Sequence, residues 1–186
     1  MKKRQFTPPG RLSANHPMMV EPSKSFTGHL KPPKVTSLLQ QQAVANMTRA
    51  NTWAKKVTAD NRLTMMYTML AGDQRSIYHL ALSDYFKAPC IGGVQTGGYK
   101  GRVGDTLIIS ATDNVFVDRV CVQIFTADSV FVEEGCAYQE IPDSHAWIYT
   151  ATEDVINASA FHLQVCAFDL PGNRSNIWMD VVNLST

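Results

Sequence analysis

The chain has 186 residues, of which 45% are hydrophobic and 18% are charged, and its formal net charge is +1. This composition supports one well-formed core and excludes a chain that is disordered throughout. This small net charge conceals an uneven distribution along the chain. The net charge is +6 for residues 1–34, +3 for residues 35–96 and −8 for residues 97–186. A basic beginning and an acidic end indicate a polyanionic partner or an acidic neighbouring surface.

Residues 1–34 are predicted to be an extended, basic, proline-rich arm. Six prolines remove backbone donors and disfavour regular structure there. No apolar run in this segment is long enough for a secretory signal, and no later run reaches membrane length, so we expect a soluble, cytoplasmic protein. Basic and aromatic residues are the predicted partner contacts in the arm: Lys2, Lys3, Arg4, Phe6, Arg11, Lys24 and Phe26.

Residues 35–88 are predicted to contain about three helices. An apolar stripe with helical spacing predicts the first helix, capped by Thr36 or Ser37, and it runs through Leu39, Ala43, Met47, Ala50, Ala54 and Val57. The second helix is expected to begin near Thr58 and end at Gly72. A third runs from about Arg75 to Phe86. Its apolar sequence lacks the basic face of a DNA-recognition helix.

Residues 89–98 are predicted to be a glycine-containing linker, and residues 99–186 a domain of short strands. Period-two alternation predicts six strands, near 105–113, 119–125, 130–138, 145–152, 161–168 and 176–182. The second and third form a predicted hairpin through the turn residues 127–129. Short strands with turns between them favour a two-sheet sandwich over a barrel of longer strands. The predicted class is therefore α+β, a short N-terminal helical segment followed by an immunoglobulin-like antiparallel β-sandwich.

Several motifs carry a family resemblance across residues 99–186. The segments Gly104–Asp113, Val117–Val120, Trp147–Ala151 and Val165–Asn173, in that order, resemble bacterial immunoglobulin-like or fibronectin-III-like modules. Such modules often close with an Ala-x-Asp-x-x-Gly-Asn turn. The resemblance implies the sandwich fold and little about function, since these modules serve adhesion, carbohydrate binding, spacing and assembly. The whole chain also resembles a group of bacterial proteins, a likeness that implies no activity.

Two predicted strands carry unusually apolar outward faces. If Val120, Val122 and Ile124 face the core, then Cys121 and Phe125 point outward, and the same alternation turns Cys166 and Phe168 outward. In an immunoglobulin-like order these strands are neighbours, so Cys121, Phe125, Cys166 and Phe168 form one predicted contact patch. We expect the helices of the same chain to cover this patch, with an intermolecular interface as the alternative.

The sequence predicts no catalytic site, cofactor or metal. The four cysteines lie 31, 15 and 30 residues apart and lack the close pair of a zinc site, so we expect reduced, partly buried thiols. Asp143, Ser144 and His145 are consecutive, which is not triad geometry. Turn-forming Asx residues at one end of the sandwich bear oxygens that suggest calcium, but no dense Asp-x-Asp-x-Asp run supports them, so we interpret these residues as turns: Asp113, Asn114, Asp169 and Asn173.

We therefore expect a non-enzymatic structural or interaction protein. The arm and helices engage a protein partner or another copy of the chain, and the sandwich supplies a rigid, acidic scaffold. One alternative is a nucleic-acid-associated protein that contacts phosphates through the arm. Another is a small-ligand or carbohydrate-binding module that uses the sandwich loops, for which Tyr138, Trp147 and Trp178 supply the candidate aromatic platforms.

Overall fold

The computed structural model describes residues 37–72, 76–142, 144–155 and 160–182. Three helices are followed by seven strands in two antiparallel sheets. The α+β class and the β-sandwich expected from the sequence are therefore confirmed. The predicted arm, residues 1–34, lies outside the described residues, and with it lie all seven of its predicted partner contacts.

The helices begin and end at identifiable signals. Helix α1 spans Leu38–Ala59, and Ser37 closes a capping box in which its hydroxyl accepts from the Gln40 amide at 3.2 Å. Helix α2 spans Asn61–Ala71 and ends at Gly72, whose φ of 58° suits glycine. Helix α3 spans Ile77–Tyr85.

One expected cap differs, because Asp60 rather than Thr58 caps α2. The Asp60 carboxylate accepts from the Leu63 amide at 3.0 Å. Thr58 still lies inside α1, where its hydroxyl donates to the Ala54 carbonyl. The connection between α1 and α2 is therefore the single residue Asp60, and α1 continues past the predicted start of α2 at Thr58.

The strands agree closely with the predicted alternation. Their bounds are β1 Cys90–Gln95, β2 Thr106–Thr112, β3 Val117–Thr126, β4 Phe131–Ala137, β5 Ala146–Thr150, β6 Ala160–Asp169 and β7 Arg174–Val182. The smaller sheet has the order β1-β2-β5 and the larger sheet the order β4-β3-β6-β7. Strands β3 and β4 form the predicted hairpin.

The sandwich core lies between the two sheets. It contains the predicted inward residues Val120, Val122 and Ile124, together with alternate residues of other strands such as Leu107 and Leu163. Gly135 of β4 is needed there because a Cβ at this position would lie 2.8 Å from a ring carbon of Tyr149. Buried and half-buried positions alternate along the whole of β6, so its outward face is well defined.

Residues 89–98 differ from the predicted linker, because Cys90–Gln95 pairs with β2 as an edge strand. The pairing shifts register between Ile91 and Gly93, as expected for a bulge at glycine. Two consecutive glycines hide the alternation that identifies the other strands. The first of them also lies close to its neighbour, since a Cβ at Gly92 would be 3.3 Å from the Ser110 hydroxyl.

The helices pack on one end of the sandwich. A second core joins their inner faces to Val115, Phe116 and Leu170, which lie in the β2–β3 and β6–β7 connections. The Asn173 side-chain amide donates to the Tyr85 and Lys87 carbonyls at 3.1 and 3.2 Å, at the C-terminal end of α3. One turn of the sandwich thereby holds the last helix in place.

Candidate interaction site

The outward face of the four-stranded sheet, called here the outer face, consists of cross-strand rows. Cys121 lies directly between Cys136 of β4 and Cys166 of β6, and Asn176 completes this row on β7. A neighbouring row is Glu134, Gln123, Gln164 and Trp178. The four residues of the predicted patch, Cys121, Phe125, Cys166 and Phe168, lie on this face and are half-buried. Sequence reasoning thus placed them on the outward side of adjacent strands.

Aromatic side chains extend the patch beyond the predicted four residues. The Phe125 ring lies 5.7 Å from Phe131 and 5.4 Å from Trp178, measured between ring centroids. Phe131 is 54% exposed and Trp178 is 59% exposed. Such aromatic clusters supply much of the energy of protein interfaces, because they bury a large area with few rotatable bonds. Sequence alternation along β7 alone would have placed Trp178 outward.

The thiols of the cysteine row are close but free. The Cys121 and Cys136 sulfurs are 3.1 Å apart, and both residues are unbonded. Partial burial, together with the neighbouring Cys136 thiol, raises the pKa of Cys121 to about 12, and burial also raises the pKa of Cys166. At neutral pH these groups are therefore protonated, weakly polar thiols rather than nucleophiles. Cys136 is the member of the row that the predicted patch omitted.

A groove of about 340 Å³ crosses this face beside the thiols. Arg119, Arg174 and Glu134 line the groove, and the Arg119 guanidinium carbon lies 4.2 Å from the centroid of the Phe168 ring. At the other end of the face, His162 Nδ1 lies 2.6 Å from Asp180 Oδ1, and this contact raises the pKa of His162. The apolar centre of the outer face therefore has a charged rim, as protein interfaces commonly do.

The predicted covering of the patch by α1–α3 is wrong. The helices contribute their buried residues to the core at the end of the sandwich, and that core includes no residue of the patch. The physical reason is that Val115 and Leu170 are apolar residues in the connections between strands. The helices therefore pack against the end of the sandwich and not against the face of a sheet. Within the described residues, the outer face is left open.

Helix α1 offers a second open apolar surface. Every residue from Ser37 to Arg49 is exposed, including Leu39 at 77% and Met47 at 46%. The same stripe becomes buried farther along the helix, at Ala54 and Val57. We call the exposed residues 38–40 and 42–49 the free half of α1. They carry the apolar stripe that the sequence predicted, without a covering surface within the described residues.

The three aromatics of the ligand-binding alternative have different positions. Trp147 is buried in the sandwich core, whereas Tyr138 and Trp178 are exposed. Trp178 lies in the middle of a strand and not on a loop. Tyr138 makes an isolated bridge with Ile148. The described loops therefore do not gather these rings into one platform.

Three carboxylates meet where α3 contacts the sandwich. Asp84 of α3, Asp113 of the β2–β3 connection and Asp169 at the end of β6 each present an oxygen within 4.8 Å of the other two. Burial, reinforced by Asp113 and Asp169, raises the pKa of Asp84 to about 7. Burial is likewise the main cause that raises the pKa values of Asp113 and Asp169. Two of the Asx residues considered from sequence are thus joined by an aspartate from the helices, which sequence reasoning did not consider.

Comparisons with known proteins found two solved structures of low similarity to report. No family model matches the chain, and no curated protein sequence matches it. CopC from Methylosinus trichosporium OB3b is similar over 52% of this chain and 99% of its own, with 10% identity and a TM-score of 0.38. An engineered protein from a structural genomics consortium is similar over 53% of this chain and 20% of its own, with 11% identity and a TM-score of 0.35.

The helices of the described part of the chain do not have the features of a membrane span. None of them is both long enough and apolar enough to cross a bilayer.

Proposed function

We propose that this chain is a non-enzymatic assembly protein in which the free half of α1 binds the outer face of a second copy. The observation that carries the proposal is the half-buried stripe of α1. Its residues continue on one side of a single helix, yet among the described residues only the second part is covered, and the first part exposes leucine and methionine. A stripe of this kind is normally buried against another element.

The two open surfaces match in form and in apolar character. The free half of α1 is a narrow convex ridge that carries Leu39 and Met47, and the outer face is a broad sheet surface with Phe131 and Trp178. Helices pack on sheet faces in many folds, because each element buries one apolar side against the other. The contact is proposed between copies, since α1 of the same chain packs at the end of the sandwich.

Charge supports the same pairing. Helix α1 contains Arg49, Lys55 and Lys56 and has no acidic residue. Residues 97–186 carry a balance of −8, and Glu134 and Asp180 lie on the outer face itself. This attraction acts between helix α1 as a whole and the acidic sandwich, whereas the contact itself is mainly apolar, because Arg49 is the one charged residue among residues 38–49 and the outer face also carries Arg119 and Arg174.

The strand order supports the finer family resemblance. Seven strands in sheets β1-β2-β5 and β4-β3-β6-β7 differ from the constant-type immunoglobulin arrangement in one respect, since the fourth strand pairs with the third rather than with the fifth. We therefore keep an immunoglobulin-like or fibronectin-III-like module as part of the proposal. In this role the sandwich holds the outer face in a rigid form.

A ridge that binds a different surface on the next copy forms a heterologous contact. Such contacts build closed rings when the rotation between copies closes, and open chains when it does not. The proposed product is therefore an oligomer or polymer rather than a pair related by a twofold axis.

The test uses light scattering coupled to size exclusion on the full chain and on two double variants. Leu39→Ser with Met47→Ser removes the ridge, and Phe131→Ser with Trp178→Ser removes the aromatic face. Each variant alone should run as a monomer, because each lacks one of the two surfaces. An equimolar mixture should form a dimer, since one intact ridge and one intact face remain.

A matched control removes exposed apolar side chains elsewhere. Met65 and Met69 of α2 are 69% and 72% exposed, so Met65→Ser with Met69→Ser makes the same kind of change outside both surfaces and should leave the size unchanged. A monomeric full chain at all accessible concentrations would overturn the proposal. So would a face variant that keeps the size of the unaltered protein, because α1 would then bind something else.

The arm enters the proposal through its charge. Residues 1–34 hold seven basic side chains, which would strengthen contact with an acidic sandwich, so their removal should weaken association, as should added salt. An arm whose removal changes neither size nor partner binding would count against this part. The nucleic-acid alternative requires affinity that falls with salt and vanishes with the arm. A cytoplasmic location stays a prediction from the sequence.

A further inference from the structure

Unpartnered oxygens mark the carboxylate cluster at the junction between α3 and the sandwich. Asp84 has no accessible surface, and its Oδ1 has no hydrogen-bond donor. Oδ2 of Asp113 is also buried without a donor. A buried carboxylate oxygen without a partner is costly, and two of them beside a third carboxylate require a positive charge or a proton.

The remaining contacts do not supply that charge. Oδ2 of Asp84 accepts a hydrogen bond of 2.5 Å from the Tyr67 hydroxyl. Asp169 accepts from the backbone amides of Gly172 and Asn173 and from the Asn173 side chain. These donors are neutral. Lys87 acts on Asp113 as a nearby positive charge, yet the pKa of Asp113 is still raised.

The spacing fits one ion. Calcium binds oxygen ligands at 2.3–2.6 Å, so ligands on opposite sides of one Ca²⁺ lie about 4.6–5.2 Å apart. The three carboxylates each offer an oxygen within 4.8 Å of the others, and they come from three separate elements that surround the point between them.

We propose that Asp84, Asp113 and Asp169 form a binding site for a hard divalent cation of the size of Ca²⁺. Three carboxylates, each with one or two oxygens, supply three to six ligands, and water completes the six to eight that calcium takes. The site joins α3 to both connections on which the helices pack. Cation binding therefore fastens the helical unit to the sandwich.

The test measures binding and stability of the full chain after removal of divalent ions with a chelator. Calcium chloride at about a hundredfold above its dissociation constant should raise the melting temperature by roughly 5–10 °C. Terbium(III), which replaces calcium at oxygen sites, should show emission sensitised by Tyr67 at its absorption band, and calcium should displace it. Magnesium chloride should be less effective, because the smaller ion needs shorter, octahedral contacts.

Asp113→Asn is the informative variant, because Asp113 is only half-buried and the change keeps its shape. It should fold and should lose most of the calcium-induced shift and of the sensitised emission. Asp128→Asn, at an exposed turn position, makes the same change of charge and should keep both. Asp84→Asn provides a second removal of a ligand, with the same expected loss.

Two results would overturn the proposal. One is an unaltered chain that shows neither a melting shift nor calorimetric heat with millimolar calcium; the cluster would then hold a proton. The other is calcium binding that survives Asp113→Asn and Asp84→Asn. Either result leaves the assembly proposal untouched, since that proposal is judged from particle size and from variants on other surfaces.

Discussion

The two halves of α1 share one apolar stripe but have opposite surroundings. In the second half, Ala50, Ala54 and Val57 are buried against α2 and α3, while in the free half Leu39 and Met47 face water on the same side of the helix. Amphipathic periodicity therefore establishes that a helix has an apolar side and does not establish how far along the helix that side is covered. An isolated helix of twelve residues is marginal in water, so the free half depends on the packed half for its nucleation.

The sharpest test of this difference is one charge placed in each half. Val57→Asp buries a carboxylate in the helical core and should lower the free energy of unfolding by about 4 kcal/mol or more. Leu39→Asp, at an exposed position, should change it by no more than about 0.5 kcal/mol. Urea unfolding of dilute protein measures both. Equal losses would show that the free half is packed within its own chain.

Changing pH should also affect the packed half alone. Residues 38–48 contain no ionisable side chain, whereas α3, against which the packed half lies, carries Asp84 with its pKa raised to about 7. The folded state then binds more protons than the unfolded state, so this contribution is full below the ordinary aspartate pKa and is lost as pH rises through about 7. The groups around Asp84 are Tyr67, Asp113, Asp169 and Lys87.

Urea unfolding without divalent ions should therefore show lower stability at pH 7.5 than at pH 5. Asp84→Asn should flatten this dependence, because an amide does not titrate in this range. A stability that rises with pH in both proteins would contradict the assignment to Asp84. With calcium present the dependence should weaken, since the ion competes with the proton for the same oxygens.

The smallest effect is expected at the helix caps. Ser37→Ala removes the cap of the free half, and Asp60→Ala removes the cap of α2, which is packed. Loss of a cap costs about 1 kcal/mol of helix stability. Global unfolding should register this loss for Asp60→Ala, while Ser37→Ala should increase only the local exchange of amides in the first turns. Hydrogen exchange separates these outcomes, and an equal global loss for both variants would contradict the comparison.

Sequence reasoning succeeded where burial imposes a strict pattern. Six strands were predicted because an inward residue at every second position is required by a two-sided sheet. The strand β1 was missed because Gly92 and Gly93 carry no side chains to reveal the alternation. The four patch residues were placed on the outward side because Val120 and Leu163 define the inward side.

The other features of the site depend on how helices and strands pack together, and local sequence patterns do not determine that packing. Cys136 and Trp178 lie on one outer face because β3 pairs with β6, whose partners Cys121 and Cys166 are 45 residues apart in the chain. Asp84 lies 29 residues before Asp113, in a helix whose apolar pattern predicts only burial. The helices were expected over the patch because their destination depends on Val115 and Leu170, which belong to two connections that read as ordinary turns.

The amide of Asn173 has a consequence for the order of folding. It secures α3 only when the β6–β7 hairpin has closed, because the turn from Asp169 to Asn173 sets the direction of its side chain. The hairpin is local, whereas the Tyr85 and Lys87 carbonyls lie 88 and 86 residues before Asn173, so we expect the helices to dock late, after the last strands are synthesised and paired. A nascent chain that lacks β7 would therefore leave its helices undocked and open to proteases, which makes attachment of the helices a marker of a completed sandwich.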